Sequence, residues 1–185
     1  MTAPHDTRPA PAPASAAGVH DPGLRAFLAS FREGTRRFMN GEPAPWLGNA
    51  SRRDDVMVMG AWGGHEKGWT EVEARYHWAA ARFADSGAEL GVEYLTVFES
   101  DDLAVTTAIE RARVRVAGEA TAALMALRVT HVFRREDGAW KLVLRHADPL
   151  VARTAPGAVL DGGRVVPGHS FGAKTPERRF FSPRP

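Results

Sequence analysis

Residues 129–148 read VTHVFRREDGAWKLVLRHAD, and this stretch decides the fold. Apolar and polar residues alternate on both sides of Asp137-Gly138, as they do in two half-buried strands. Asp-Gly between two such runs is a strong signal for a two-residue hairpin turn. The stretch therefore predicts a β-hairpin whose strands cover residues 122–136 and 139–148.

Upstream of this hairpin the alternation continues in two more strands, at residues 92–100 and 103–116, separated by Asp101-Asp102. The periodicity before them is helical instead. Asp21 followed by Pro22 is typical of a helix start, and the apolar spacing carries this helix to about Met39.

The segment between this first helix and the strands predicts smaller elements. A short helix is expected around Trp46, a short strand at residues 56–59 and a glycine-rich loop at 60–68. A capping box formed by Thr70 and Glu73 predicts a helix that runs to about residue 86. Helices followed by consecutive hairpins indicate an α+β fold, with the helices packed on one face of an antiparallel sheet.

The two ends of the chain differ in composition from its middle. Residues 1–20 are rich in proline and alanine without apolar periodicity, which predicts a disordered leader that is not a secretory signal. Residues 151–185 are rich in glycine, proline and arginine, which predicts a disordered basic tail. We therefore expect one domain at residues 21–150, in a cytoplasmic protein with no membrane-spanning segment.

Composition excludes several classes of site. The chain has 185 residues and no cysteine, so disulfides, thiolate metal sites and cysteine nucleophiles are excluded. Its net charge of +2 comes from the predicted tail, because the predicted domain is slightly acidic. This distribution argues against a nucleic-acid-binding domain and leaves only the tail as a tether for an acidic partner. No glycine-rich phosphate loop is present, so no nucleotide cofactor is expected.

Hairpin geometry places candidate polar side chains on the core face. If Asp137-Gly138 is a two-residue turn, Phe133 pairs with Leu142, His131 with Leu144, and Val129 with His146. One face would then carry the acid-base candidates His131, His146 and Asp148 together with the apolar Phe133 and Leu144. Asp148 beside His146 would orient the ring as a general base, or both histidines would simply be hydrogen-bonded core residues.

The other hairpin predicts a pair of acids. A two-residue turn at Asp101-Asp102 places Glu93 opposite Glu110, and two buried carboxylates so close would share a proton. The alternative is that each pairs with an arginine and does no chemistry. Histidines at metal-ligand spacing do not occur, so no metal is expected.

Several quoted motifs resemble a known family. They are Gly60-Ala61-Trp62-Gly63-Gly64, Ile109-Glu110-Arg111, Arg128-Val129-Thr130 and the run from Thr130 to Trp140 followed by His146. Over residues 22–150 the chain resembles the nuclear-transport-factor-2-like superfamily, in its SnoaL-like, ketosteroid-isomerase-homologue branch. The resemblance implies a cone-shaped curved antiparallel sheet closed by N-terminal helices over an inner cavity.

The resemblance also implies where function lies. Glu93, Glu110, His131, His146 and Asp148 would point into the cone as the candidate catalytic residues. The candidate contacts to a small apolar ligand are Trp62, Trp69, Tyr76, Phe133 and Leu144. Tyr94, Phe98, Val105 and Ile109 would form the outer sheet face through which the chain becomes a homodimer.

The chain also resembles the association domain of calcium/calmodulin-dependent kinases. There the positions that match Glu110 and His131 carry pocket arginines, and this chain departs from that pattern. An arginine-lined pocket is therefore not implied.

Two functions follow as hypotheses. The first is a pocket for a small, largely apolar molecule with cofactor-free acid-base catalysis of the isomerase, cyclase or dehydratase type. The alternative is a noncatalytic ligand-binding or dimerisation module. An open pocket with converging polar groups would favour the first, and a cone filled by side chains would favour the second.

Overall fold

A computed structural model of the protein describes residues 18–84 and 87–152. Most of the predicted leader and almost all of the predicted basic tail lie outside these residues. The helices of the described part are α1 (Pro22–Phe38), α2 (Ala44–Asn49) and α3 (Trp69–Ala80). Its strands are β1 (Met57–Met59), β2 (Glu66–Lys67), β3 (Phe83–Ala84), β4 (Leu90–Glu99), β5 (Leu103–Val116), β6 (Ala123–Glu136) and β7 (Ala139–Pro149).

The start of α1 is the one that the sequence predicts. The Asp21 carboxylate accepts a hydrogen bond from the Gly23 N–H at 2.7 Å, and Pro22 occupies the first turn. The start of α3 differs from the prediction: Gly68 precedes it at φ +85° and no side chain caps it, so the capping box predicted at Thr70 is wrong. This helix ends at Ala80 because the chain turns there to pair β3 with β5.

The strands form one curved, open sheet in the order β2-β1-β7-β6-β5, with β4 and β3 both paired to β5. Every pairing is antiparallel except that of β1 with β7. The helices cover one face, which we call the inner face, and the opposite face is the outer face. This architecture confirms the predicted α+β class with helices packed on a curved sheet.

The hairpin between β6 and β7 begins as predicted and then changes register. Asp137 and Gly138 both have positive φ, of 50° and 83°, which gives the turn the twist of the flanking strands. Phe133 pairs with Leu142 as predicted. Val143 then has no partner, and this β-bulge shifts every later pair by one residue.

A second bulge interrupts the hairpin of β4 and β5. Its pairing follows the predicted register from Glu99 back to Thr96 and shifts at Leu95. Glu93 consequently pairs with Ile109, and Glu110 pairs with Val92. The predicted opposition of Glu93 and Glu110 is therefore wrong, because the bulge moves the two carboxylates to opposite faces.

The core lies between the helices and the inner face. One buried cluster surrounds α1, α2 and the turn end of the β6–β7 hairpin, and a second lies under Met39 and the other end of the sheet. Phe38 and Tyr94 pack against both clusters. No helix in residues 18–84 or 87–152 is both long and apolar enough to cross a membrane.

Candidate functional site

The two bulges divide the predicted catalytic residues between the faces of the sheet. Glu110 and His131 lie on the inner face and are buried. His146 and Asp148 lie on the outer face with side chains 45% and 49% exposed, so their predicted place on the core face is wrong. Glu93 also lies outside, where it accepts a hydrogen bond from Arg111 at 2.9 Å.

The shift at Val143 brings Arg145 to the inner face in place of His146. Arg145 donates hydrogen bonds to both carboxylate oxygens of Glu110, at 3.0 and 2.7 Å. Its Nη1 also lies 2.5 Å from His131 Nε2. Because a guanidinium has only donors, His131 Nε2 is the acceptor. The ring proton then lies on Nδ1, which is 3.3 Å from the Thr106 hydroxyl.

Burial and Arg145 act differently on the two titratable groups of this network. Burial alone would raise the pKa of Glu110, but the charge and hydrogen bonds of Arg145 outweigh it and hold that pKa below its usual value. Burial, together with the adjacent Arg145 charge, lowers the pKa of His131 to about 3. At neutral pH Glu110 is ionised and His131 is neutral. Arg145 donates hydrogen bonds to both side chains, so this buried network links strands β5, β6 and β7.

A cavity of about 80 Å³ lies between α1, α3 and the inner face. Its wall is mainly apolar and includes Phe38, Met39, Trp46, Val58, Ala79 and Leu127. Among its polar wall residues are Arg75, Tyr76 and Arg145. A concave, mainly apolar surface with a few polar groups is typical of a small-molecule site. This cavity has room for roughly three to five groups of the size of a water molecule, at about 15–30 Å³ each.

Tyr76 and Trp62 are the predicted ligand contacts that line this cavity. The Tyr76 ring stacks on Trp46, and burial raises the pKa of its hydroxyl, which therefore remains a neutral donor. Trp62 lies at the rim, 45% exposed, with its ring against Trp78 and Phe83.

The other three predicted ligand contacts lie elsewhere. Phe133 is fully buried in the core against Phe31 and His131. Trp69 packs beside the same core cluster, with the Arg52 guanidinium over its ring. Leu144 follows the bulge and therefore faces outward, opposite Val132.

Arg75 and Glu66 form a second ion pair at the cavity. Arg75 Nε lies 3.6 Å from Glu66 Oε1, and both side chains are mostly buried. Glu66 lies opposite Val58 in the sheet, so the two side chains share the inner face. Its second carboxylate oxygen is buried without a hydrogen-bond partner in the described residues.

The outer face carries a shallow groove of about 310 Å³. His146, Asp148 and Arg128 line it together with Leu95 and Ile109. His146 Nε2 lies 3.2 Å from Asp148 Oδ2, so the predicted pairing of these two side chains does occur. It occurs on the face away from the inner cavity.

Sequence reasoning missed Arg75, Arg145 and Glu66. For Arg145 the signal was present: Leu142-Val143-Leu144 places three apolar residues in a row within an alternating strand, which is where an extra residue is accommodated. Arg75 follows the apolar Val72 at helical spacing and could have been placed on the buried side of α3. No pattern around Glu66 indicates a strand of two residues. Within the described residues no group of three or more acidic or histidine side chains could hold a metal ion.

Residues 29–151 match the family model of the SnoaL-like domain. A comparison with curated proteins finds no match. The matched span includes most of α1, both smaller helical elements and the whole sheet. It agrees with the resemblance that the sequence motifs indicate.

Solved structures share the fold. A ketosteroid isomerase-like protein from Erwinia carotovora atroseptica is 14% identical with a TM-score of 0.59, and the match covers 70% of this chain and 95% of that one. A Streptomyces avermitilis protein, provisionally described as a dehydratase of the NTF2-like family, is 21% identical with a TM-score of 0.59 over 70% and 95%. A Thiobacillus denitrificans protein, provisionally described as a calcium/calmodulin-dependent protein kinase type II association domain, is 22% identical with a TM-score of 0.54 over 70% and 97%. At these identities the likeness is one of fold.

Proposed function

The chain belongs to the SnoaL-like domain family, and from this premise we propose that it binds a small, largely apolar molecule in its inner cavity. The observation that carries the proposal is the cavity itself, whose wall combines apolar side chains with the donors of Arg75 and Tyr76. Such a wall would bury the apolar part of a ligand and orient its polar part. The small volume selects a compact molecule or the end of a longer one.

Binding without catalysis is the better-supported form of this proposal. An isomerase, cyclase or dehydratase step needs a base with a free lone pair beside the ligand. Glu110 and His131 are both engaged by Arg145, and the other three predicted catalytic residues lie on the outer face. The names of two relatives mention isomerase and dehydratase, but they are under 25% identical to this chain.

A cavity-filling variant tests the proposal. Ala79 lines the cavity from α3, whereas Ala74 lies on the exposed side of the same helix. We expect Ala79→Leu to weaken the binding of xenon, detected by ¹²⁹Xe NMR, by at least about tenfold, because the new side chain fills a site of this size. Ala74→Leu is the matched control and should bind xenon like the wild type. Equal binding by both variants, or none by the wild type, would overturn the proposal.

The proposal extends to a homodimer joined through the outer face. Leu95 and Phe98 are 56% and 66% exposed there, and Leu95 lines the groove together with Ile109. Exposed apolar side chains gathered on one face are typical of an association surface. Tyr94, predicted as part of this surface, packs instead against the core because it precedes the bulge.

A further inference from the structure

Arg75 has far more hydrogen-bonding capacity than its surroundings use. Its side chain is only 9% exposed, yet within the described residues it donates a single hydrogen bond, from Nη2 to the Gly63 carbonyl at 3.0 Å. The guanidinium also lies over the Trp78 ring at 4.3 Å. A guanidinium has five N–H donors, so most of those of Arg75 are not used by the described residues.

The Glu66 carboxylate beside Arg75 accepts no hydrogen bond from it. At 3.6 Å the contact between Glu66 Oε1 and Arg75 Nε is longer than a hydrogen bond, and Glu66 Oε2 is buried without a partner. Burial raises the pKa of Glu66, although the charges of Arg75 and His65 oppose the shift. The pair is therefore an incomplete ion pair with unmade hydrogen bonds on both sides.

Arg145 shows what a complete pair looks like in the same fold. Its guanidinium holds both oxygens of Glu110 and the ring nitrogen of His131. Both arginines line the cavity, but Arg75 is the one that keeps most of its donors available. Among the described residues the wall itself contains no acidic side chain, and the carboxylates of Glu66 and Glu110 lie beside it as partners of Arg75 and Arg145.

We propose that the cavity binds a short-chain carboxylate, with Arg75 as its counter-ion and the hydrocarbon part among Phe38, Met39 and Leu127. This inference rests on the proposed ligand-binding function and names the ligand class. Two carboxylate oxygens match the planar donors of a guanidinium, which makes this the strongest pairing available to Arg75. The cavity of about 80 Å³ fits a molecule of the size of propionate.

Anion binding at this place is coupled to protonation of Glu66. A ligand carboxylate that takes over Arg75 leaves Glu66 buried without its cation, and the neutral acid is then favoured. The other charged or titratable groups that act on Glu66 are His65 and Glu71 beside it and Tyr76 on α3. Propionate should therefore bind with uptake of a proton, and its affinity should fall as pH rises.

Titration of the purified protein with propionate, followed by ¹H–¹⁵N NMR, tests the proposal. We expect Arg75→Met to weaken propionate binding by at least about tenfold, because the charge-assisted hydrogen bonds are lost. Arg82→Met is the matched control, since Arg82 stacks on the same Trp78 ring without lining the cavity. Glu66→Gln should bind propionate at least as tightly as the wild type at pH 8 and should lose the pH dependence.

Xenon and 1-propanol separate this inference from the proposed function. Xenon binding without propionate binding would overturn the carboxylate class and leave the ligand cavity standing. Binding of neither xenon nor propionate would overturn both proposals. Propionate binding that is unchanged in Arg75→Met, or 1-propanol binding as tight as propionate binding, would overturn the role of Arg75. If Arg75→Met fails to fold, the pH dependence in the wild type and its loss in Glu66→Gln decide the question.

Discussion

The inner and outer faces of one sheet carry the same kinds of polar residue, but these are buried on the inner face and solvent-exposed on the outer face. On the inner face Glu110, His131 and Arg145 are buried, and Arg145 donates hydrogen bonds to the other two. On the outer face Glu93 pairs with Arg111, and His146 with Asp148, in contact with solvent. Residue type alone therefore does not identify a functional group in this fold. The side of the sheet on which a polar residue lies decides its protonation state, its contribution to the free energy of unfolding and the groups that it can contact.

The largest expected difference between the faces comes from removing the inner cation. Arg145→Met leaves Glu110 buried without a counter-ion, and we expect a loss of about 3–5 kcal/mol in the free energy of unfolding. Urea denaturation followed by circular dichroism measures it. The double variant Glu110→Leu/Arg145→Met should recover most of the loss, because it removes both charges together. A single variant that loses less than about 1 kcal/mol would remove the contrast between the faces.

Acid should distinguish the two histidines. Below pH of about 6.5 the unfolded chain takes up a proton at His131, whereas the folded chain resists protonation down to about pH 3. The stability from this group is therefore fully present above about pH 6.5 and is lost as pH falls. Between pH 6.5 and 4.5 we expect a loss of about 2–3 kcal/mol from this group. Urea unfolding across this range should show a shallower pH dependence in His131→Gln than in the wild type.

His146→Gln is the matched control for the acid experiment, because the ring of His146 lies on the outer face and is half exposed. Equal flattening in both variants would show that the buried position of His131 has no special effect. Working above pH 4.5 limits the contribution of Glu110, whose pKa is held below its usual value.

A substitution on the outer face should change the self-association of the chain instead of its free energy of unfolding. Phe98→Glu places a charge on the exposed apolar surface, and we expect the dimer dissociation constant to rise at least about tenfold because the charge would have to be desolvated. Sedimentation velocity over a range of protein concentrations measures the change. Ala74→Glu, on the exposed side of α3, should leave association as in the wild type. A wild type that is monomeric at all concentrations would count against the dimer.

The smallest effect is expected from the outer ion pair. Arg111 lies 2.9 Å from Glu93, and both side chains are about one-third exposed. We expect Arg111→Met to change the free energy of unfolding by less than about 1 kcal/mol, since such pairs are screened by water and salt. The same urea measurement as for Arg145→Met gives a direct comparison. A loss equal to that of Arg145→Met would contradict the assignment of the two faces.

The sequence predicted the elements of the fold more accurately than the sides of its strands. The strands are long and alternate, and the Asp137-Gly138 turn has its own chemical signature, so the hairpin and its first pairs were predictable. Asp21 and Pro22 likewise predicted the start of α1. A bulge has a weaker signature, because any residue can be the extra one; in β7 only the apolar run Leu142-Val143-Leu144 indicates it.

The unpredicted bulges affected the prediction of the candidate site more than the prediction of the fold. The single shift at Val143 displaces every pair farther from the turn, so Phe133 was paired correctly and His131, His146 and Asp148 were not. The incomplete pair of Glu66 and Arg75 joins a strand of two residues to a helix, and its contacts depend on tertiary packing. Such a contact is not encoded in any local pattern of residues.

The unpaired Val143 also affects how residue roles can be transferred from relatives to this chain. An alignment of β7 that contains no gap beside Val143 would match the inward-facing positions of a regular strand to Leu144 and His146 instead of Arg145 and Ala147. Every position after that point would be exchanged between the two sides, including Asp148. In this protein the placement of one alignment gap decides whether a relative's pocket residue corresponds to the buried Arg145 or to the outward-facing Leu144, and whether the next one corresponds to the buried Ala147 or to the solvent-exposed His146.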